Sequence, residues 1–265
     1  MDAGEEHPGR PVGRLVVVGA GDVGGEVARR WVEAGGSAVG VTATTARHEA
    51  LAASGVEPTT EDPRRTIRAG DAVLLSTPGG SSQAAVATGL VGCPVARAVM
   101  TGTTGIHGRA RGTVREDAPV GVTDRARSAA AAETAFRRWA PEGVILRLGG
   151  LYRRGRGPLQ PLLRRGAPTP GPPDRPLALI HRDDAVTAIL AALVHPRPAP
   201  VYLAVTPPVP SREDFYRRAC TRHGLPDPTF TPGDGAGPVT FDVTLLRRDL
   251  LPTPAHPDWR EAVEG

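Results

Sequence analysis

The stretch Arg14-Leu15-Val16-Val17-Val18-Gly19-Ala20-Gly21-Asp22-Val23-Gly24-Gly25 decides the fold. An apolar, β-branched run enters a G-x-G-x-x-G turn, and an amphipathic segment follows with Val23, Val27 and Trp31 four residues apart. Strand, glycine turn, helix is the context in which this fingerprint binds a dinucleotide. Gly19 permits the tight turn, Gly21 lets a pyrophosphate approach the backbone, and Gly24 lets helix and strand pack closely. Asp22 and Val23 open a helix whose N–H groups and positive dipole end would face the phosphates. The alternative is a glycine-rich βα turn that has lost its ligand.

Working outward, the pattern repeats. Residues 37–42 read as a second strand, 47–53 as a short helix, 56–58 as a third strand and 71–76 as a fourth, ending in the loop Thr77-Pro78-Gly79-Gly80, with Ser76, Thr77 and Pro78 as cofactor-binding candidates. Residues 83–90 are helical, 97–101 form a fifth strand, 125–139 a long Ala-rich helix and 144–148 a sixth strand. Strands alternating with helices at this period predict an α/β fold, a Rossmann-like doubly wound parallel sheet. After residue 149 the character changes. Residues 153–176 are rich in Pro, Gly and Arg and read as loop with a short helix near 159–163. A helix over 182–194, a strand at 201–205 and a helix from Ser211 to about His223 follow, and residues 225–239 resemble a linker. The organisation expected is a tail over 1–12, a dinucleotide-binding core over 13–150 and a smaller substrate lobe over 151–265, with helix 182–194 packed back on the core.

Composition narrows the classes. The 265 residues contain no lysine and no asparagine, so all 32 basic residues are arginine. The arginines are scattered, net charge is +4 and aromatics are 4% of the chain, which argues against nucleic acid and for a small anionic partner. No apolar run approaches the roughly 18 residues of a membrane span. The start lacks the regions of a signal peptide, and two cysteines cannot make a disulfide framework; a cytoplasmic protein is the expectation.

Five further segments carry a resemblance. Gly102-Thr103-Thr104-Gly105-Ile106-His107-Gly108 is similar to S-S-T-x-V-Y-G, and Arg125, Ser128, Ala129 and Glu133 fall on Y-x-x-S-K-x-x-x-E. Residues 146–152 resemble a strand end of the form L-R-x-x-x-x-Y, His181-Arg182-Asp183-Asp184 resembles I-H-V-D-D, and Pro257-Asp258-Trp259-Arg260 resembles a C-terminal Pro/aromatic segment. In this order they resemble the extended short-chain dehydrogenase/reductases of the NAD(P)-dependent epimerase/dehydratase family, most closely its shorter nucleoside-diphosphate-sugar epimerase-like branch. The resemblance implies a nicotinamide cofactor, an oxidoreductase or epimerase activity, and a homodimer built on the helices near Gln83 and Arg125.

The departures are chemical. In that family a Tyr and a Lys four residues later move the proton that accompanies hydride transfer. Here Arg125 and Ala129 hold those places, and a chain without lysine cannot restore the pair at any register. The resemblance leaves Thr103, whose hydroxyl suits a substrate carbonyl or hydroxyl, and His107, whose ordinary pKa suits acid–base work. Arg125 suits a carboxylate or phosphate, and Tyr152 is a candidate proton donor. Each has a bland reading as a strand-end, packed or solvated residue. Asp183 and Asp184 read as the cap of a helix and His181 as a packed strand-end residue rather than a metal site, and no metal is expected.

Cofactor choice follows from residues 41–47. An NAD site carries an acid about 20 residues after the glycines to hold the ribose hydroxyls. No acid precedes Glu49, whereas Thr42, Thr44 and Arg47 suit a 2′-phosphate, so NADP is expected over NAD. The function expected is an NAD(P)-binding oxidoreductase or epimerase for a small anionic substrate, working without the Tyr/Lys pair. The alternatives are a catalytically silent cofactor-binding regulator or partner protein, and a non-redox isomerase or lyase on the same fold, with no cofactor where the site has lost its nucleotide.

Overall fold

A computed structural model describes residues 13–165, 171–232 and 239–264. The expected tail over 1–12, and parts of the 153–176 and 225–239 segments, lie outside the described residues.

The first half runs β1 (Arg14–Val18), α1 (Asp22–Glu33), β2 (Ser37–Val41), α2 (His48–Ala53), β3 (Glu57–Thr59), α3 (Pro63–Thr66), β4 (Ala72–Leu75), α4 (Ser81–Gly89) and β5 (Arg97–Thr103). It continues with β6 (Gly112–Val114), α5 (Asp124–Trp139), β7 (Val144–Leu148), β8 (Gly150–Tyr152), α6 (Leu159–Arg165), β9 (Leu179–His181) and α7 (Arg182–Val194). The chain closes with β10 (Val201–Ala204), α8 (Arg212–His223), β11 (Val239–Phe241), α9 (Thr244–Asp249) and α10 (Glu261–Glu264).

Seven strands form one parallel sheet in the order β10-β7-β5-β4-β1-β2-β3. The pleat sorts β1 between two cores. Leu15 and Val17 join Leu74, Val99 and Leu146 under α1 and α7, whereas Val16 and Val18 join Val73, Leu75, Met100 and Ile145 under the α5 side chains Phe136 and Trp139. Burial on both faces explains the unbroken apolar runs of these strands. Each such Val, Leu or Ile contributes about 1.5–3 kcal/mol by leaving water. A third apolar cluster lies in the C-terminal lobe, where Tyr152, Leu159, Leu162, Leu179, Phe215 and Val263 meet.

The chain leaves β1 for β2 and β3 on one side and returns to β4 on the other. The β1/β4 boundary is therefore the switch point, outside whose carboxyl ends doubly wound sheets open a crevice.

The expected strands and long helices form within one or two residues of the expected ends, the ordinary scatter of helix and strand termini. Strand 201–205, expected within the substrate lobe, instead extends the central sheet through its pairing with β7. Two small parallel pairs were not expected. β6 joins β11 across 127 residues, and β8 joins β9 with Tyr152 opposite His181. The structure also corrects the cap of α7. His181, not an aspartate, is the N-cap residue, its Nδ1 accepting from the Asp183 N–H at 3.2 Å. Asp184 accepts instead from the backbone N–H groups of Ala255 and His256 at 2.8 and 3.1 Å, tying the C-terminal segment to the core.

Candidate functional site

A cleft of about 1400 Å³ opens at the switch point. Its floor is the glycine turn. Gly19 has φ 93°, and a Cβ there would lie 2.7 Å from the Ser76 carbonyl and the Thr77 nitrogen, so a side chain would drive β1 from β4. A Cβ on Gly24 would fall 2.4 Å from the Gly19 oxygen, which is the close helix–strand contact. A Cβ on Gly21 would meet nothing within 4 Å, so the backbone there faces open space. No side chain caps α1, and Gly21, Asp22 and Val23 line the cleft. The turn thus fits a diphosphate: bare glycine backbone at Gly19 and Gly21 in front of uncapped helix N–H groups.

On one side the end of β2 supplies Thr42, Thr44 and Arg47, all in the cleft lining. The Thr42 hydroxyl donates to the Thr44 carbonyl at 2.8 Å and sits 2.9 Å from His48 Nε2, so it braces the loop and has no proton left for a phosphate. Arg47 has no hydrogen bond or ion pair among the described residues. Opposite, Ser76, Thr77 and Pro78 line the wall, and Thr77 Oγ1 is buried without a partner among the described residues. An unpaired buried hydroxyl costs about 1–3 kcal/mol, which a ligand or water acceptor would recover.

Further along, the cleft reaches Thr103, Arg125, Ser128, Ala129, Glu133 and Tyr152. Thr103 Oγ1 accepts from the Gly105 N–H at 3.1 Å, which fixes the side chain and leaves its own proton to donate. Thr123 caps α5 by accepting from Ala126 at 3.2 Å, placing Arg125 on the first turn. The Arg125 side chain lies over Gly105, its Nε 2.9 Å from where a Cβ would stand, and has no ion pair among the described residues.

Two of the expected acid–base candidates are placed against that role. His107 is 4% exposed and outside the cleft lining. Its Nδ1 lies 3.2 Å from the Pro119 carbonyl, and Nε2 faces Arg147 at 3.3 Å. A carbonyl only accepts and a guanidinium only donates, so the ring is neutral with its proton on Nδ1. Burial lowers its pKa, in the same sense. Tyr152 lines the cleft but is only 2% exposed as a residue, and its hydroxyl donates toward the Asp258 carbonyl at 3.5 Å. Burial, then the charges of Glu261, Asp184 and Asp258, push its pKa well above the ordinary phenol range, so it keeps its proton.

The structure adds groups the sequence reading did not assign. Glu133 receives Arg147 through two parallel bonds of 2.8 Å, and Arg147 also donates to the Glu116 carbonyl at 2.7 Å. An arginine inside a wholly buried strand needs an acid, which was the available signal. His181, Asp183 and His256 bring three potential metal-ligand atoms within 4.8 Å of one another. The Asp183 carboxylate there already holds Arg182 at 2.7 Å and Arg30 at 3.2 Å. At the mouth of the glycine turn, Arg153, Arg156 and Arg182 surround Asp22. Burial alone would raise Asp22, but Arg153 foremost, with Arg156 and Arg182, holds its carboxyl below the usual range.

No helix among the described residues is long and apolar enough to cross a membrane. No family model matches the chain. Protein YeeZ of Escherichia coli K12 is 31% identical over 138 residues, 51% of this chain and 49% of that protein, as is Protein YeeZ of E. coli O157:H7. The match thus spans about half the length of these curated relatives. Among solved structures, a functionally unknown conserved protein from Silicibacter pomeroyi DSS is 21% identical with a TM-score of 0.75, covering 96% of this chain and 97% of that one. UDP-glucuronic acid 4-epimerase from Bacillus cereus, in complex with NAD, is 16% identical with a TM-score of 0.76 over 95% and 94% of the two chains. UDP-glucose 4-epimerase from Thermotoga maritima, with UDP-glucose, is 15% identical with a TM-score of 0.72 over 96% of each. The chain shares the Rossmann-like fold of these two epimerases.

Proposed function

We propose that the cleft binds NADP(H) and that the protein is an oxidoreductase or epimerase-like enzyme acting on a small anionic substrate without a Tyr/Lys pair. One observation carries the reading: a single cleft joins the bare glycine turn, the unpartnered Arg47 and, at its far end, Thr103 beside the unpartnered Arg125. Bound there, a nicotinamide supplies hydride transfer. Epimerases of the same fold crystallised with NAD support the cofactor class. Preference for the 2′-phosphate rests on Arg47 and on the lack of an acid between residues 41 and 47.

The chain's own part divides among four residues. Arg47 receives the 2′-phosphate, and Thr44 shapes the loop around it. Arg125 stays protonated at any working pH and so positions an anion rather than moving a proton. Thr103 donates its free hydroxyl proton to a substrate oxygen. With His107 locked as a neutral donor–acceptor and Tyr152 holding its proton, the proton accompanying hydride comes through solvent in the open cleft or from the substrate itself.

The test is a screen of carboxylate- and phosphate-bearing ketones and alcohols with reduced and oxidised cofactor. Arg125→Gln should raise KM for the anionic substrate by roughly ten-fold or more while leaving the Kd for NADPH unchanged. An unchanged KM for the anionic substrate in Arg125→Gln would remove Arg125 from the site, whereas neutral analogues should be turned over with the same KM by both proteins.

A further inference from the structure

We propose that Arg153 and Arg156 form a clasp for the diphosphate of the bound dinucleotide, with Asp22 as the internal anion that the diphosphate displaces from it. This rests on the dinucleotide reading above and assigns a binding role to the turn that follows β8.

The turn itself is closed by its own backbone. Arg153 and Arg156 exchange backbone hydrogen bonds, N–H to carbonyl in both directions, at 3.0 and 2.9 Å. Both side chains therefore leave one closed four-residue turn, and both line the cleft. They converge on a carboxylate. Arg153 reaches Asp22 Oδ1 at 3.0 Å, and Arg156 stands 3.7 Å from Oδ2. Arg182 completes the ring at 3.9 Å, but it also holds Asp183 at 2.7 Å and is committed to α7. Arg153 and Arg156 have no carboxylate other than Asp22 among the described residues.

Asp22 is the second residue of the Gly21-Asp22-Val23 segment over which the diphosphate of a dinucleotide would lie. A lone carboxylate there would repel the ligand. Paired with two arginines it does the opposite, because the group carries an excess positive charge and a geometry already set for oxyanions. A diphosphate offers more oxygen acceptors and more charge than one carboxylate, so it takes over the guanidinium donors while Asp22 turns to solvent or to Arg182. Arg153 is 37% and Arg156 63% exposed, so both can follow the ligand without repacking a core.

The experiment is a cofactor-fluorescence titration with NADPH and with NADH, on the full chain and on two variants, Arg153→Ala/Arg156→Ala and Asp22→Asn. Circular dichroism checks each fold. The clasp requires the double variant to weaken both cofactors alike, by at least roughly ten-fold, because the diphosphate is common to them. It requires Asp22→Asn to tighten both. Unchanged affinities in the double variant would overturn the clasp, as would a loss confined to NADPH, which would give these arginines to the 2′-phosphate. Should the double variant not fold, Asp22→Asn decides alone: equal or weaker binding of both cofactors overturns the proposal. Full-length protein that binds neither cofactor would overturn the dinucleotide reading itself, whereas binding with unaffected variants would overturn only the clasp.

Discussion

The proposed preference for NADP(H) turns on Arg47, since Thr42, its neighbour in the same loop, spends its proton on the Thr44 carbonyl. Arg47→Ala should weaken NADPH by about ten-fold or more and leave NADH within about two-fold, read by parallel titrations. The glycines of the turn were legible because their role is set by local backbone and near neighbours. His107 was not, because its role depends on Arg147, 40 residues away, and on the Pro119 carbonyl. A pH dependence follows. The folded ring has a pKa below its ordinary value near 6.5, whereas the unfolded ring titrates near that value. Between the two, the unfolded chain binds the extra proton, so stability is full above about pH 6.5 and falls as pH drops through that window. The melting temperature should decline from pH 7 to pH 5, and His107→Gln should flatten that decline. An equally steep decline in the variant would place the effect on other groups.

At the scale of elements, α5 shows what periodicity can and cannot deliver. Ala126, Ala129, Ala132, Phe136 and Trp139 sit at helical spacing and are buried, so helix and core face were readable. What the other face meets was not readable, because that depends on which strands stand beside it. There Arg125 and Ser128 enter the cleft, and Glu133 takes Arg147 of β7, with side chains 12% and 9% exposed. Arg147→Met would strand the Glu133 carboxylate in a low-dielectric wall and should cost about 3–5 kcal/mol. Adding Glu133→Leu should recover much of the loss, measured by denaturant unfolding; a further loss in the double variant would contradict the assignment. The pairs β6–β11 and β8–β9 escaped the sequence for another reason. Strands of three residues have too little alternation to register, and their partners lie far along the chain.

Over the whole molecule, the order of the sheet creates the site. Because β1 is flanked by β2 on one side and β4 on the other, the carboxyl ends of these strands diverge, and the loops after β1, β2, β3 and β4, with the end of β5, line one crevice. The doubly wound sheet was legible because every central strand is an apolar run followed by a helix or glycine loop. The cleft's charge was only half legible. The segment from residue 153 onward stood out in the sequence as rich in arginine, but the approach of Arg153 to Asp22 across 131 residues needed the fold. Residues after β7 gather in their own apolar cluster, and the grip of Asp184 on residues 255 and 256 ties the C-terminal segment to α7.

The central claim is that the cleft is an NADP(H) site, and the most direct measurement is a fluorescence titration of the purified protein with NADPH and NADH side by side. Saturable binding of both, with NADPH the tighter, is the predicted result. Equal affinities, or tighter NADH, would contradict the role given to Arg47, and binding of neither would reduce the glycine turn to a structural feature of the sheet.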